Sequence, residues 1–424
     1  MDSPKSPPGS VRRHGRNISQ PLLRRSTKGP LDAVDDPLAN AKSTPPMASP
    51  VEQAPSTISA DSTLTEAAIP QRAKPNVDIR FLQAPNLYQP IPTDDVAPPF
   101  LLAKHQPPSD TPLSNLIQSG HFRRAAGVAA QQILQCTAED AELAFQLLYT
   151  RFACLILISR PDLAAQEAVP LLDILARSPP GAEDLVAVMP WELRLLLIRL
   201  QSFTAADGGR RGVMALYALA GECRARVKEA RASDESAEVE SWVQRLRDLG
   251  LRVVDALVEM GELETATRHL DSLSDADANE VAYRKTLLRT RVGDMQSARD
   301  CLGGVHNASR KAALTVLMEM ADGKEATRSW ESLMNTESDH PAYANNLAVA
   351  MVYADRVVEA RDLLETAVAA SPAFAGVLFN IGTIYELCSD RAVDHKAALA
   401  RKVAEKEPVP ASGGWERSTY DFKL

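Results

Sequence analysis

One stretch constrains the fold of this chain more than any other: residues 343–372, YANNLAVAMVYADRVVEARDLLETAVAASP. It carries two apolar stripes at helical spacing, separated by the polar break Ala354-Asp355-Arg356. The small residues Ala348 and Ala360 would let the two helices approach closely. Pro372 would end the second helix, because a proline ring does not fit a helix interior. The stretch predicts a helix–turn–helix unit that buries its apolar face against neighbouring units.

The same pattern recurs along the second half of the chain. Three further segments each place a glycine near a turn and an alanine shortly after it, at Ala266, Ala298 and Ala326. Together with Ala360, these alanines are 32, 28 and 34 residues apart. This spacing brackets the period of about 34 residues that is typical of tetratricopeptide (TPR) repeats. We therefore predict an all-α fold, a TPR α-solenoid whose units are stabilised by stacking on one another.

Composition divides the chain into regions. Seventeen of the 29 prolines lie in the first 100 residues, where no apolar periodicity is found, so we predict a disordered region over residues 1–108. We predict TPR-like helical repeats over 109–230, an exposed linker at 231–240, TPR repeats over 241–408 and a C-terminal tail at 409–424 that leaves the array.

Two features of the Pro-rich region have several interpretations. A basic cluster between Arg12 and Lys28 could contact anionic lipid, act as a nuclear signal, present Ser26 to a kinase, or be a solvated tail. The apolar segment from Phe81 to Phe100 could be a docking peptide for a partner or for the first repeat of the array. It could also be a simple apolar lead-in to the folded part.

Charge and motifs exclude several classes of function. Residues 109–424 contain 35 Lys and Arg against 45 Asp and Glu, which argues against a nucleic-acid-binding surface. No apolar run reaches the roughly 18 residues of a membrane span, and the first ten residues lack the apolar segment of a signal peptide. The five cysteines are dispersed, as expected of a reduced cytosolic chain. Phosphate loops, nucleophile elbows and zinc-protease motifs are absent from the sequence, so we expect no enzyme, no cofactor and no metal.

The C-terminal block resembles a known family. The residues ANNLAVAMVYADRVVEARDLLETAVAASP, then VLFNIGTIYEL, then a second helix KAALARKVAEKE that arrives late, are similar to the end of subunit 12 of the trafficking protein particle (TRAPP) complex. The entry WVQRL at Trp242 and the Arg-rich glycine turn between Pro190 and Val227 share this resemblance. It extends over roughly residues 110–424 and is best from Ser241 onward.

The resemblance implies a non-catalytic scaffold subunit of a TRAPPIII-like tethering complex, acting in ER-to-Golgi transport and autophagy. Its partners would be other TRAPP subunits and, indirectly, Rab GTPases. It would be cytoplasmic and peripherally associated with ER-Golgi intermediate or Golgi membranes. We expect the concave face of the last repeats to bind these partners, with Asn345, Asn346, Asn380 and Tyr385 as candidate contacts. These residues could equally serve packing between helices.

A TPR adaptor or co-chaperone scaffold of another cytosolic complex is the alternative. Co-chaperones of this type grip a C-terminal carboxylate with Lys and Asn on adjacent first helices. The lysines of such a clamp are missing here, which weakens that interpretation.

Overall fold

The computed structural model describes residues 77–137, 140–177, 182–204, 209–273, 277–336, 341–409 and 413–424. Residues 1–76, with the basic cluster and the Ser-Pro pairs, lie outside the described residues, and so does the disorder predicted for them. The described ranges contain eighteen α-helices and no β-strand, which confirms the all-α prediction. The helices are α1 (Pro98–Leu101), α2 (Leu113–Gln118), α3 (Phe122–Ile133), α4 (Ala141–Leu157), α5 (Pro161–Arg177), α6 (Ala182–Val188), α7 (Trp191–Thr204), α8 (Arg210–Ala232), α9 (Ser236–Glu259), α10 (Leu263–Ser272), α11 (Ala278–Val292), α12 (Met295–Leu302), α13 (Ala308–Ala321), α14 (Thr327–Thr336), α15 (Pro341–Tyr353), α16 (Val357–Ala370), α17 (Ala375–Cys388) and α18 (Ala392–Ala404).

The helices stack as a solenoid of hairpins. Each helix from α7 to α17 packs on the helix that follows it, and α11 and α15 also pack on α13 and α17, the helices two further along. Contacts with both the next helix and the one after it are what a stacked array of helix pairs requires. The fold is the predicted α-solenoid of helical repeats.

One type of turn recurs within the hairpins. A residue with positive φ follows the first helix, and the next N–H bonds to a carbonyl five residues earlier, as in a Schellman cap. Examples are Glu262 to Leu257 (2.9 Å), Asp294 to Arg289 (2.9 Å) and Arg356 to Met351 (2.8 Å). The positive-φ residues of this kind are Gly120, Ser159, Gly261, Gly293, Gly323 and Asp355. The glycines that mark the repeats in the sequence are there because the turn needs left-handed backbone.

The first correction concerns residues 77–108, which the composition placed in the disordered region. Residues 77–91, here called the strap, place Val77, Ile79 and Leu82 in the hydrophobic core of the first hairpins. Further along, Phe100 of α1 lies in the core of the last repeats and is fully buried. Prolines do not prevent this packing, because the segment uses short turns instead of a regular helix.

The second correction concerns the C-terminal tail, which returns to the array. Trp415 and Phe422 are buried in the core of the last repeats. The backbone N–H of Trp415 donates to the Gly120 carbonyl at the start of the array (2.9 Å), and the backbone N–H of Ala97 donates to the Arg417 carbonyl (3.0 Å). Residues 413–424 thus contact both residues 92–100 and the first hairpin. We call this contact the clasp, and it joins the two ends of the solenoid.

The third correction concerns residues 231–240. These residues are largely exposed, as expected of a linker, but they do not interrupt the array. Helix α8 continues to Ala232 and α9 begins at Ser236, and the two long helices pack on each other. Asp234, with φ of 57°, makes the reversal in three residues.

The fourth correction concerns the last turn. The second helix of the final hairpin was expected to arrive late, yet α18 begins at Ala392, with only three residues between it and the end of α17. Arg391 and Asp394 form an ion pair there (3.0 Å), and a carboxylate in the first turn stabilises a helix N-terminus. The helix thus starts one turn before the alanine-rich segment that signals it in the sequence.

Gly120 should tolerate alanine less well than Gly261. Both have similar φ (+75° and +77°), so each alanine costs about 1–2 kcal/mol for left-handed backbone. At Gly120 the new Cβ would also stand 3.2 Å from the Trp415 nitrogen and 3.3 Å from the Gly414 Cα, whereas the space around Gly261 is open. Thermal unfolding of Gly120→Ala and Gly261→Ala measures the difference. Equal losses in Tm would contradict the packing of the tail at Gly120.

Candidate partner-binding surface on the last repeats

Two of the candidate contacts bond directly to each other. The Asn380 amide on α17 donates to the Asn345 Oδ1 on α15 over 2.8 Å. The two residues lie on the first helices of adjacent repeats and are 35 positions apart, one more than the repeat period, so the repeat equivalent of Asn380 is Asn346. Both are half-buried, and each keeps further hydrogen-bonding capacity on its amide. Asn346, the next residue on α15, is also half-buried.

Tyr385 lies inside the array. Its side chain is buried, its ring stacks on His395 with 5.1 Å between centroids, and its hydroxyl donates to Glu365 Oε1 over 2.9 Å. Burial, together with the bond to Glu365, raises the pKa of the phenol well above its usual value. The structure therefore assigns Tyr385 to packing between α16, α17 and α18. A role of the three asparagines in binding partners stays a prediction.

The C-terminal tail covers the face of α17 beside Asn380. The Tyr420 and Phe379 rings lie 5.6 Å apart, and the Lys423 ammonium lies 5.2 Å from the Phe379 centroid and donates to Thr383. The lack of a side chain at Gly382 allows this approach, since a Cβ there would stand 3.0 Å from the Phe422 carbonyl. The surface around Asn380 is thus built from α15, α17 and the tail together.

A small charge network fixes the tail in place. Lys396 on α18 is buried and donates to Glu386 Oε1 and to the Lys423 carbonyl (2.9 Å). Glu386 also accepts from the Lys423 ammonium, and these two lysines hold the pKa of its carboxyl below the usual value. The network explains why a tail without regular helix keeps one position.

Exposed apolar side chains recur at the turn edge of the last two repeats. Tyr353 and Leu387, 34 residues apart, end the first helices and are 85% and 60% exposed. Val358 and Val393, near the start of the second helices, are 54% and 72% exposed. A single exposed apolar residue needs no explanation, and these four are notable because they recur at repeat spacing. We call these four residues the turn-edge row.

The turn-edge row was not singled out from the sequence. Tyr353 and Leu387 are apolar residues near the ends of α15 and α17, and their residue type does not distinguish them from the core. Their exposure becomes clear only when the turn position is known.

A second unpredicted feature lies in the first hairpins. Arg151 on α4 and Glu167 on α5 are both 2% exposed and form an ion pair. In the sequence each is a charge flanked by apolar residues inside a helix, Arg151 between Tyr149 and Phe152 and Glu167 between Ala165 and Ala168, which is the signal that could have identified the pair. Its partners come from the strap and are described below.

The described part of the chain offers little for catalysis. Burial raises the pKa of the Cys154 thiol to about 12 and that of Cys223 to about 11, so both are poor nucleophiles. No group of three metal-ligating His, Cys, Asp or Glu side chains occurs among the residues that the structure describes. Within the same residues, no helix is long and apolar enough to cross a membrane.

Comparison with known proteins finds one distant sequence relative. No family model matches the chain. Human trafficking protein particle complex subunit 12 is 29% identical over 132 residues, which cover 28% of this chain and 18% of the human protein. The match thus spans less than a fifth of the length of that relative. It agrees with the predicted resemblance over a minority of the chain.

Solved structures with some similarity are TPR proteins. A tetratricopeptide repeat protein from Parabacteroides merdae is 14% identical and has a TM-score of 0.37, covering 62% of this chain and 92% of that one. The TPR domain of P58(IPK) is 15% identical and has a TM-score of 0.20, covering 68% and 90%. The α-solenoid described above is established by the helix pairs themselves.

Two substitutions of Tyr385 should distinguish the stability that comes from its hydrogen bond from the stability that comes from packing of its ring. Tyr385→Phe loses one hydrogen bond to an exposed carboxylate, about 1 kcal/mol, and should keep the fold. Tyr385→Ala leaves a cavity and should cost about 3–5 kcal/mol. Urea unfolding of both variants tests this. Equal stability of the two would show that the ring does not pack in the core.

The raised pKa of Tyr385 also makes the stability of the fold depend on pH. In the unfolded chain Tyr385 ionises near pH 10, before the folded chain does, so the stability that it contributes is present below pH 10 and is lost above it. Tyr385→Phe should therefore lose less stability than the wild type between about pH 9 and 11. A loss of the same size in both chains would contradict the assignment.

Proposed function

We propose that this chain is a non-catalytic adaptor that binds other proteins, and that it serves as a scaffold subunit of a TRAPP-like vesicle-tethering complex. The turn-edge row is the observation that carries the proposal. Tyr353, Leu387, Val358 and Val393 are apolar, exposed and repeated in adjacent units, and a partner that covered them would bury apolar area worth about 25 cal/mol per Å².

The half-buried asparagines would fix the orientation of a partner at such an interface. Asn345 and Asn380 already satisfy each other in part, so a partner can add hydrogen bonds without leaving a buried amide unpaired. A few oriented polar groups beside an apolar surface are typical of specific protein–protein interfaces. The partner class proposed is a folded subunit with an apolar ridge or helix.

The assignment to a tethering complex comes from the relative. The human protein is by name a subunit of the trafficking protein particle complex, and we carry that membership to this chain. The proposed site of action is the cytoplasmic side of ER-Golgi intermediate or Golgi membranes. Indirect action on Rab GTPases and a role in autophagy are further predictions of the same resemblance.

Affinity purification from the cells of origin tests the proposal. Tagged wild-type chain should recover TRAPP core subunits in stoichiometric amounts, as identified by mass spectrometry. Tyr353→Ser with Leu387→Ser should lose them, because both side chains are exposed and their replacement leaves the core intact. Met214→Ser is the matched control, since Met214 is 59% exposed on α8, away from the last repeats.

The outcomes separate the two functions considered. Recovery of chaperones in place of TRAPP subunits would favour the co-chaperone scaffold. Full recovery of TRAPP subunits by the Tyr353→Ser, Leu387→Ser variant would keep the complex but overturn the placement of the interface.

A further inference from the structure

The strap lies on the first hairpins in the manner of a bound peptide. Ile79 and Leu82 are each 1% exposed within a core cluster to which α3, α4 and α5 contribute most of the buried residues. Tyr88 packs against the same cluster, and its hydroxyl donates to the Leu82 carbonyl over 2.7 Å, which fixes the bend between them. Apolar anchors with no continuous helix or strand between them are typical of extended peptides in grooves.

A buried ion pair holds the strap by its main chain. The Gln89 N–H donates to Glu167 Oε1 over 2.9 Å, and an Arg151 terminal nitrogen donates to the Gln89 carbonyl over 3.1 Å. Arg151 also donates to the Ala126 carbonyl of α3 over 2.8 Å, and its guanidinium lies 5.1 Å from the centroid of the Tyr88 ring. The pair therefore contacts both main-chain groups of one residue and the ring of the residue before it.

Burying the ion pair of Arg151 and Glu167 costs free energy. Two charges removed from water lose several kcal/mol of hydration each, which mutual attraction only partly offsets. Contact with main-chain atoms carries no demand for a particular side chain at Gln89, so the pair can accept any residue there that has a backbone N–H, which excludes only proline. Selectivity would come from the aliphatic sites of Ile79 and Leu82 and from the aromatic site of Tyr88.

We propose that the groove on α3, α4 and α5 is a peptide-recognition site that the strap fills in cis. In trans it takes an extended segment of a partner protein with the same pattern: an aliphatic residue, leucine three positions later, and tyrosine six positions after that. The tethered strap is present at millimolar effective concentration and competes with such a segment. This proposal does not depend on the tethering function.

The test uses the full chain with its strap disabled by Ile79→Asp and Leu82→Asp. The probe is a fluorescein-labelled peptide with the sequence of residues 77–91. The strap-disabled chain should bind this peptide at least about ten-fold more tightly than the wild type, because the tethered competitor is removed. Fluorescence anisotropy measures both affinities, and size-exclusion chromatography with circular dichroism confirms that each chain is folded.

Two controls identify the groove as the binding site. A peptide with Leu82→Asp should not bind the strap-disabled chain. Adding Arg151→Lys to that chain should weaken binding about ten-fold, since lysine keeps the charge but lacks the planar set of donors that reaches both Glu167 and Gln89. Equal affinity of the folded wild-type and strap-disabled chains for the peptide would overturn the proposal.

A second measurement serves if the strap-disabled chain does not fold. A protease site placed between Thr93 and Asp94, which are both exposed, allows the wild-type strap to be cut from the array under native conditions while Phe100 stays in the clasp. An excess of isotopically labelled peptide should then replace the cut segment while the helices stay folded, as followed by native mass spectrometry. Retention of the segment until the helices unfold would show that it is a permanent part of the core, against the proposal.

Discussion

Glu167→Ala should destabilise the first hairpins by about 3–5 kcal/mol, because it leaves the Arg151 guanidinium buried without its counter-charge. The same change removes the acceptor of the Gln89 N–H and should release the strap. We therefore expect a lower Tm and faster hydrogen exchange of residues 77–91 than of the last repeats. Differential scanning calorimetry and hydrogen exchange with mass spectrometry measure the two effects.

The exposed ion pair of Arg391 and Asp394 provides the matched control. Its side chains are 78% and 67% exposed, so Asp394→Ala should leave stability close to the wild-type value. Arg151→Met combined with Glu167→Leu should recover part of the stability lost by Glu167→Ala, because no unpaired charge remains. A Glu167→Ala chain as stable as Asp394→Ala would show that the pair is hydrated in solution.

Phe100→Ala should open the clasp. The Phe100 ring is fully buried, with its centroid 5.4 Å from that of Trp415 in an edge-to-face contact and 6.2 Å from that of Phe422. Truncation of such a ring costs about 3–5 kcal/mol. The loss should appear first in the tail, since the Phe100 ring packs directly on Trp415 and Phe422. Hydrogen exchange of the tail should rise well before that of α13 and α15.

Leu102 is the matched control, two residues further along the chain and 89% exposed. Leu102→Ala should change neither the Tm nor the exchange of the tail. Unchanged tail exchange in Phe100→Ala would mean that the polar contacts suffice to close the clasp. These contacts include the backbone bonds from Trp415 to Gly120 and from Ala97 to Arg417, and the ion pair between Arg123 and Glu416 (3.1 Å).

Sequence reasoning placed the regular hairpins well. The stretch 343–372 forms α15 and α16 with the break at residues 354–356, and Pro372 follows two residues after the second helix ends. This worked because contacts between residues three and four apart repeat in every unit and leave a period in the sequence. The final hairpin shows the limit, since an alanine-rich segment indicated α18 but not its true start.

The candidate site was predicted only in part. Repeat spacing makes Asn346 the equivalent of Asn380, whereas the hydrogen bond of Asn380 goes to Asn345, the residue before it. Periodicity could not tell that Tyr385 points into the core, nor that Tyr353 at the end of α15 is 85% exposed. Both depend on how far each side chain extends beyond the neighbouring helix, which is a property of the packed pair.

The sequence by itself determined that this protein is an α-solenoid, because each hairpin is specified by short-range spacing of apolar and small residues. Only the tertiary structure decided where the two terminal segments lie. The strap meets Glu167 across 78 residues of chain, and Thr419 meets Asp95 across 324. Such contacts depend on the rotation from each hairpin to the next, added up along the array. Short-range sequence patterns do not determine that sum. The contact between the two ends of the array follows from this sum of rotations.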